Sequence, residues 1–552
     1  MKNQVNPAGR GVRVALQVVL LSLATGCRGM AVPQGQAPTT SAARAEQPSA
    51  SKGAVASNGK TAGAGLNTPA ERFAARAQIL LNGAPASKGE WGILILDADT
   101  ADVLYQQNAD KYFVPASNMK LFTTALALAT LGPAYRFHTT VESEQAIGAD
   151  GTLRGDLVLV GRGDPNLSNR KFPYEGKEEF EGAADRVLAE FADGLLTKGL
   201  KKVAGDVVGD DSYFPRERYP SGWEIDDMVW EYGAAISAIV VDDNTVIAEL
   251  TPGNAAGDAV AVAVDPPTTE FTVRNQVVTS AEGVKADLTL TREPGSNEAV
   301  VKGTLPARST PRKLQLAIQE PALNAAAMLK RLLEQRGIAV TGNARAQHEA
   351  GAAPSAPRTV LAEHVSIPLG DSVKLVNKIS QNLHTEMLLR TAARQKGLWV
   401  TPEDLARFPE DFYAAAGIAP GDVVQTDGSG LSRHDLATPR AIVALLQFAR
   451  KQTWFTPYYE SLPIAGIDGT LENNMKGTAA VGRIHAKTGS VEHVRTRSGY
   501  AETASGRHLI FSFMANNQGG KNHEANDALD GLSVAMIEEF DAAGPAQCCN
   551  KK

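Results

Sequence analysis

The feature that most constrains the fold is an apolar segment near residue 120 that has no polar face. Residues Asn118–Leu131 follow Pro115-Ala116-Ser117, a sequence typical of a helix start, and Gly132-Pro133 ends them. A helix that is apolar nearly all round has to be buried inside a large domain. The chain has 552 residues, 43% of them hydrophobic and 21% charged, which suffices for such a core and excludes disorder along the whole length.

The chain changes character twice, which predicts one domain inserted into another. Residues 71–140 and 361–552 mix long strands with helical segments such as Val373–Arg394. Residues 141–360 instead contain short strand-like runs separated by Gly, Asp and Pro, which is typical of β-rich domains. We therefore expect an α/β (α+β) domain interrupted by a β-rich insertion of one or two smaller domains, the inner one at roughly 247–316.

The N-terminal segment predicts export. Basic residues precede the short apolar run Val14–Ala24, the layout of a signal peptide that is too short to span a bilayer comfortably. Segment 1–27 ends in Ala-Thr-Gly-Cys and resembles a bacterial lipoprotein signal, in which Cys27 would be lipidated; the alternative is a plain secreted protein. Residues 28–70 lack aromatic side chains and are predicted to be a flexible linker. We expect the protein in the periplasm or cell envelope, with a lipid on Cys27 as its one contact with the membrane.

Charge and cysteine content exclude several classes of function. Lys and Arg total 55 against 61 Asp and Glu, a net charge of −6, whereas a nucleic-acid-binding protein normally carries a positive face. The 3 cysteines, Cys27, Cys548 and Cys549, provide neither a disulfide framework nor a cysteine metal site in the body of the chain. The 9 histidines, His384 among them, are scattered without metal-ligand spacing. We therefore expect no nucleic-acid partner, no metal and no cofactor, and we assign no role to Cys548 and Cys549.

Three short motifs stand in order along the chain: Ser117–Lys120 (Ser-Asn-Met-Lys), Ser380–Asn382 (Ser-Gln-Asn) and Lys487–Gly489 (Lys-Thr-Gly). Each alone is weak, and a second Ser-x-x-Lys occurs at Ser168–Lys171. The first motif opens the buried helix, so its lysine lies one turn after its serine on the same face. The second Ser-x-x-Lys has no helix to present it and is predicted to be a solvated loop. The acidic pair Asp242-Asp243 is likewise predicted to be a solvated turn.

These residue types suit acyl transfer by an activated serine. The Ser117 hydroxyl is a poor nucleophile until an adjacent base accepts its proton. Lys120 can be that base only if its ammonium is destabilised, which burial and a neighbouring Lys487 would do. Gly489 lets a strand edge approach a bound peptide closely, and the backbone N–H groups of Ser117 and Ser490 would form an oxyanion hole.

Together the three motifs resemble the signature of penicillin-binding proteins and β-lactamases. The long interval between the first and second motifs is similar to that of the three-domain D-alanyl-D-alanine carboxypeptidase/endopeptidase family, the low-molecular-mass class C penicillin-binding proteins. The resemblance runs from roughly residue 71 to 540. It implies a penicillin-binding transpeptidase/β-lactamase-like domain built from residues 71–140 and 361–552. Gln381 departs mildly from the Asn or Asp usual at the middle of the second motif, and this side chain has no catalytic role in the family.

The resemblance implies roles for four residues of the first two motifs. Ser117 attacks the penultimate D-Ala carbonyl and forms an acyl-enzyme, while Lys120 accepts the serine proton. Ser380 relays a proton to the leaving D-Ala nitrogen, and Asn382 holds the substrate amide. Water then hydrolyses the ester.

The third motif implies recognition of the substrate's terminus. Lys487, also catalytic, and Thr488 bind the terminal carboxylate, on a strand that continues through Gly489 and Ser490. The implied partners are peptidoglycan stem peptides, with β-lactam antibiotics as covalent inhibitors.

One segment of the insertion resembles the family segment that lines the pocket for the stem peptide's side chain. It runs from Trp223 to Asp227, with Tyr232 five residues further on. For a diaminopimelate-type side chain, the resemblance implies that Asp227 pairs with the ammonium and that Arg433 faces the carboxylate. The alternative is that Asp226 and Asp227 belong to a solvated loop.

Three functions remain open from sequence alone. The leading one is an exported serine peptidase that removes terminal D-Ala and cleaves cross-links. A β-lactamase or related esterase would use the same residues, although small β-lactamases lack the insertion. A non-catalytic penicillin-binding wall sensor is the third. The sequence leaves open whether carboxypeptidase or endopeptidase action dominates, and also the oligomeric state.

Overall fold

The structure, a computed structural model, describes residues 68–83, 86–349, 357–519 and 522–541. The signal segment with Cys27, most of the linker, and the tail cysteines Cys548 and Cys549 lie outside the described residues. Among the helices that are described, none is long and apolar enough to cross a membrane.

The α-helices of the described residues mostly bury one face against a sheet, and several begin at a threonine cap or a proline. They are α1 Pro69–Asn82, α2 Met119–Leu131, α3 Arg186–Thr197, α4 Pro321–Gln335, α5 Leu369–Lys378 and α6 Asn382–Gln395. They continue as α7 Pro402–Arg407, α8 Glu410–Ala415, α9 Pro439–Ala449, α10 Phe455–Glu460 and α11 Asn522–Glu539. Short 3-10 turns are Ala86–Lys88, Ala116–Asn118, Ile225–Val229, Glu231–Gly233, Asp242–Asn244 and Gly469–Leu471.

The strands are long at both ends of the chain and mostly shorter in the middle. The first nine are β1 Glu90–Asp97, β2 Val103–Gln107, β3 His138–Ser143, β4 Thr152–Leu153, β5 Leu157–Val160, β6 Asp164–Leu167, β7 Lys202–Val203, β8 Val207–Asp210 and β9 Ile239–Val241. The next nine are β10 Thr245–Thr251, β11 Ala261–Asp265, β12 Thr272–Ser280, β13 Asp287–Thr291, β14 Glu298–Pro306, β15 Arg312–Ala317, β16 Ala339–Val340, β17 Ala344–Gln347 and β18 Thr359–Val365. The last five are β19 Val423–Val424, β20 Leu436–Ala437, β21 Ile484–Val491, β22 Val494–Glu502 and β23 His508–Asn516.

One five-stranded antiparallel sheet joins the two ends of the chain. Its strand order is β2-β1-β23-β22-β21, so β1 pairs with the last strand and Glu90 lies opposite Asn516. β21 is an edge strand and carries the Lys-Thr-Gly motif. The third motif therefore lies where a strand edge is available to an extended peptide.

Hydrophobic cores cover both faces of this sheet. On one face α2, α5, α9 and α10 contribute to a single core, and on the other face α1 and α11 contribute to a second. Every residue from Met119 to Leu128 of α2 is buried, Lys120 included. The prediction that this apolar helix lies inside a large core is confirmed.

The predicted helical segment Val373–Arg394 is interrupted, which the sequence did not indicate. α5 ends at Lys378 and α6 begins at Asn382, and between them Ser380 has a φ of 65°. This left-handed conformation stops a helix, yet the site contains neither the glycine nor the proline that usually marks such a break. The break places Ser380 immediately before Gln381, the N-cap of α6.

The middle of the chain is β-rich, as predicted. A five-stranded mixed sheet, β17-β8-β5-β3-β18, shares a core with α3 and α4. The strands β10 to β15 form two three-stranded sheets around a different core. The α/β fold with an inserted β-rich region is therefore confirmed.

Candidate active site

Ser117 and Lys120 lie at the junction of a 3-10 turn and α2. Ala116 has a φ of 47°, and the turn Ala116–Asn118 leads directly into the helix. Lys120 lies in the first turn of α2, and its Nζ donates to Ser117 Oγ at 2.9 Å. The side chain of Lys120 is fully buried because the helix around it is apolar.

The Lys120 amine meets two further acceptors. Its Nζ donates to Asn382 Oδ1 at 2.6 Å and to the Ser429 carbonyl at 2.7 Å. Burial lowers the pKa of Lys120 to about 7, against the opposing effect of acidic groups led by Asp427. A neutral amine in this position can accept a proton from Ser117 near neutral pH.

A second lysine and a second serine face the first pair. Lys487 Nζ donates to Ser380 Oγ at 2.9 Å and to the Thr488 carbonyl at 2.8 Å. Burial, and after it the charge of Lys120, hold the pKa of Lys487 well below its usual range. The three motifs thus converge, although they are far apart along the chain.

Gly489 brings the edge strand against Ser117. A Cβ at this position would lie 2.1 Å from Thr496 Oγ1, 2.8 Å from the Pro115 carbonyl and 3.0 Å from the backbone nitrogen of Ser117. Only glycine therefore allows this approach, as the sequence predicted for this motif. Thr488 Oγ1 donates to Thr470 Oγ1 at 2.6 Å, a contact from a residue that sequence analysis missed.

These residues open into a cleft of about 500 Å³. The predicted site residues that line it are Ser117, Ser380, Asn382, Ser490, Asp227, Tyr232 and Arg433. One wall comes from the catalytic domain and the other from the 3-10 turns at 225–233 of the inserted region. The structure therefore brings together residues that sequence analysis could associate only by resemblance.

Arg433 lies in the cleft beside acidic residues. Arg433 Nε lies 3.2 Å from Glu224 Oε1, and its Nη1 donates to the Glu492 carbonyl at 2.6 Å, so its guanidinium already has a carboxylate partner. Burial raises the pKa of Asp227, opposed by a hydrogen bond with Tyr232. Carboxylate oxygens of Glu224, Asp226 and Asp227 lie within 4.8 Å of one another, which gives this wall a negative charge.

The loop Asp427–Ser432 provides the backbone carbonyl that accepts a hydrogen bond from Lys120. The backbone N–H groups of Gly428 and Ser429 both donate to Glu386 Oε1 at 2.8 Å, which orients the Ser429 carbonyl toward the lysine. Sequence analysis assigned no role to this loop. The signal that it missed is Glu386, which lies one helical turn after Asn382 on α6.

Two predictions of solvated segments are wrong. Asp243 is 5% exposed, and in the Ser168–Lys171 segment Ser168, Asn169 and Arg170 are all buried. Both carboxylate oxygens of Asp243 accept hydrogen bonds from Arg170. A buried charge is tolerated when a partner neutralises it, and here the partner lies 73 residues away, outside the range of local sequence patterns.

The fold and this arrangement define a class of protein. Two serines, each hydrogen-bonded to a buried lysine, on an α/β domain with an edge strand at the cleft, describe a serine acyl-transfer enzyme of the penicillin-binding and β-lactamase fold. A model of the D-Ala-D-Ala carboxypeptidase 3 (S13) family matches residues 75–536, and the chain belongs to that family. It is a serine-type D-Ala-D-Ala carboxypeptidase of the penicillin-binding protein 4 type.

Similar proteins cover most of the chain. The D-alanyl-D-alanine carboxypeptidase of Actinomadura sp. (strain R39) is 34% identical over 460 residues, 81% of each chain. The D-alanyl-D-alanine carboxypeptidase DacB of Haemophilus influenzae is 29% identical over 427 residues, 76% of this chain and 84% of the relative. The family resemblance deduced from the three motifs is confirmed.

Solved structures agree on the fold. The crystal structure of penicillin-binding protein 4 (DacB) from Haemophilus influenzae superposes with a TM-score of 0.73 at 25% identity, covering 85% of this chain and 99% of that one. A second structure of that protein, complexed with a novel β-lactam, has a TM-score of 0.66 at 24% identity, covering 85% of this chain and 99% of that one. Of the three functions that the sequence left open, family membership supports the carboxypeptidase.

Proposed function

We propose that Ser117 is the nucleophile of this carboxypeptidase and that its substrates are peptidoglycan stem peptides ending in D-Ala-D-Ala. The observation that carries the proposal is the contact between Lys120 Nζ and Ser117 Oγ at 2.9 Å, made by a lysine whose pKa is lowered to about 7. A neutral amine accepts the hydroxyl proton as Ser117 attacks the carbonyl of the penultimate D-Ala. The bond that breaks is the peptide bond to the terminal D-Ala.

The second serine and lysine serve the leaving group. Ser380 Oγ accepts a hydrogen bond from Lys487, so it is placed to pass a proton to the departing D-Ala nitrogen. Asn382 holds the substrate amide, and the backbone N–H groups of Ser117 and Ser490 stabilise the oxyanion. Lys487 and Thr488 bind the terminal carboxylate before it leaves, and water then hydrolyses the acyl-enzyme.

The same steps apply to β-lactams and to cross-linked peptides. A β-lactam ring opens on Ser117 to give a stable ester, and endopeptidase action needs only an amine leaving group that carries a further peptide. The negative wall formed by Glu224, Asp226 and Asp227 supports substrates with a cationic side chain. We propose Asp227 as the partner of that ammonium, and Asp227→Ala should lower kcat/KM for a diaminopimelate-type peptide about 10- to 100-fold while leaving penicillin acylation unchanged.

The nucleophile is tested by labelling with a fluorescent penicillin and by D-Ala release from a D-Ala-D-Ala pentapeptide. The wild-type chain should do both, and Ser117→Ala should do neither. Ser87→Ala, which changes an exposed serine outside the cleft, should behave like wild type. Labelling that persists in Ser117→Ala would overturn the assignment.

A further inference from the structure

A buried carboxylate of the inserted region reaches the second catalytic motif. Asp243 Oδ2 accepts a hydrogen bond from Gln381 Nε2 at 2.9 Å, and Gln381 is the residue between Ser380 and Asn382. The same carboxylate meets His384 Nε2 at 2.8 Å and Arg170 Nη1 at 2.7 Å, both at Oδ1. Asp243, His384 and Arg170 are all buried. This cluster lies behind the motif and is absent from the lining of the cleft described above.

We propose that Asp243 is a positioning residue for the acyl-transfer reaction and that it acts through Gln381 on Ser380 and Asn382. The inference rests on the proposed roles of those two residues. It assigns to the inserted region a part in catalysis beyond contact with substrate. Gln381, which departs from the usual Asn or Asp and has no catalytic role by resemblance, is the link.

The Gln381 side chain is held at both ends of its amide. Its Nε2 donates to Asp243, and its Oε1 accepts from the backbone N–H of His384 at 3.3 Å, which caps the start of α6. The rotation of this side chain is therefore restricted by one bond to the inserted region and one to the catalytic domain. Because Gln381 is the N-cap, fixing it also fixes where α6 begins.

The residue before Gln381 is in a conformation that needs such support. Ser380 has a φ of 65°, in the left-handed region that non-glycine residues adopt only when their surroundings hold them there. In that conformation its Oγ accepts the hydrogen bond from Lys487. Releasing Gln381 would let the backbone at Ser380 relax and would move this hydroxyl away from the lysine.

The residue after Gln381 is held by the inserted region as well. Asn382 Nδ2 donates to the Tyr232 carbonyl at 2.8 Å, while its Oδ1 accepts from Lys120. The turn that carries Asp243 is held by the next residue, Asn244, whose side chain donates to the Ala235 carbonyl and accepts from the backbone N–H of Val241. The inserted region therefore holds the second motif at two neighbouring residues.

The charge of Asp243 is maintained in the buried cluster. Burial opposes ionisation, but Arg170 and His384 hold the pKa of Asp243 well below its usual range. Arg170 is in turn bonded through Nε to Glu178 at 2.9 Å. Asp243→Asn therefore keeps the shape of the side chain while removing the charge that holds Arg170, His384 and Gln381 together.

The experiment measures two quantities with a fluorescent penicillin: the rate constant of acylation at saturation and the final label per chain. Asp243→Asn should lower the rate constant about 10- to 100-fold, the cost of displacing a reacting group by about 1 Å, while one label per chain is still reached. Asp287→Asn is the matched control; it removes the charge of an exposed aspartate in the same inserted region, on β13, and its rate should match wild type. A merely structural role would instead lower the final labelling and leave the rate of the labelled fraction unchanged.

A double-mutant cycle tests the link through Gln381. Gln381→Glu alone should slow acylation more than Asp243→Asn, because it sets two carboxylates against each other. In the double variant, the amide nitrogen introduced by Asp243→Asn can donate to the carboxylate introduced by Gln381→Glu. The acylation rate constant should therefore recover at least about tenfold over Gln381→Glu alone.

The outcomes separate this inference from the proposed function. Wild-type rates in Asp243→Asn, or independent effects of the two substitutions, would overturn the positioning role while leaving Ser117 as the nucleophile. If Asp243→Asn is insoluble, the cycle is run with Gln381→Asn, whose shorter amide loses the contact and should show the same slow rate with full labelling. Failure of the proposed function would appear separately, as labelling of Ser117→Ala.

Discussion

At the scale of single residues, the site depends on the burial of two lysine side chains away from solvent. Lys120 and Lys487 are both buried, and each bonds a serine hydroxyl. A lysine on the surface would stay protonated at neutral pH and could not accept a proton from serine. The burial that lowers these pKa values is therefore part of the chemistry as well as of the packing.

The pKa of Lys120 predicts a pH profile. Only the neutral amine accepts the Ser117 proton, so the acylation rate constant should fall about tenfold for each pH unit below about 7 and level off above it. Stopped-flow acylation by a fluorescent penicillin between pH 5 and 9 measures this. Thermal unfolding over the same range separates protonation from loss of fold. A rate that still rises steeply at pH 9 would mean that Lys120 remains charged.

Buried ion pairs between residues that are far apart in the sequence could not be predicted. The burial of Lys120 was predictable, because the neighbouring residues of its own helix are apolar. That of Asp243 was not, because Arg170 and His384 come from other parts of the chain and only the fold brings them together. Local pattern alone assigns such an aspartate to solvent, since charged residues are seldom buried without a partner.

At the scale of elements, the site depends on how closely β21 approaches the start of α2. Thr496 of β22 lies beside Gly489, and its Oγ1 donates to the Pro115 carbonyl at 2.8 Å, two residues before Ser117. The predicted helix Asn118–Leu131 had nearly correct bounds, because it is a long run of one pattern. The break between α5 and α6 was missed, because Ser380 carries no helix-breaking signal of its own.

Gly489→Ala tests this approach. The added methyl would lie 2.1 Å from Thr496 Oγ1 and 3.0 Å from the Ser117 nitrogen, so β21 has to shift away from the nucleophile. We expect acylation to slow by about 100-fold, as for a displacement of about 1 Å at a reacting centre. Gly519→Ala, where nothing lies within 4 Å of the added methyl, is the control and should leave the rate unchanged. Equal rates in the two variants would contradict the close approach.

At the scale of the whole molecule, we propose export to the cell envelope and lipidation of Cys27, which lies outside the described residues. Family membership places the substrate in peptidoglycan, and the linker 28–70 would let an anchored catalytic domain reach it.

Lipidation predicts where the full-length protein fractionates in a bacterial host. The wild-type chain should sediment with membranes, because acyl chains partition into the bilayer with about 0.8 kcal/mol for each buried methylene. Cys27→Ser should move to the soluble periplasmic fraction, whereas Cys548→Ser should stay with the membranes. If wild type and Cys27→Ser are equally soluble, the signal is a plain secretory one.

The pairing of the first strand with the last has a consequence for how this enzyme folds. The backbone N–H of Val114 donates to Asn516 Oδ1, across 402 residues of chain. Asn516 belongs to β23, and β22 and β21 are connected to β1 in the sheet only through β23. Strands β10 to β15 pair among themselves within residues 245–317 and share their own core, so they can form while the catalytic sheet is still incomplete. Closing so large a loop costs conformational entropy before the strands make any stabilising contact. We therefore expect the catalytic sheet to form late and slowly during folding. A nascent or truncated chain is therefore unreactive toward β-lactams until the residues near 516 are in place, and acylation competence reports completed folding.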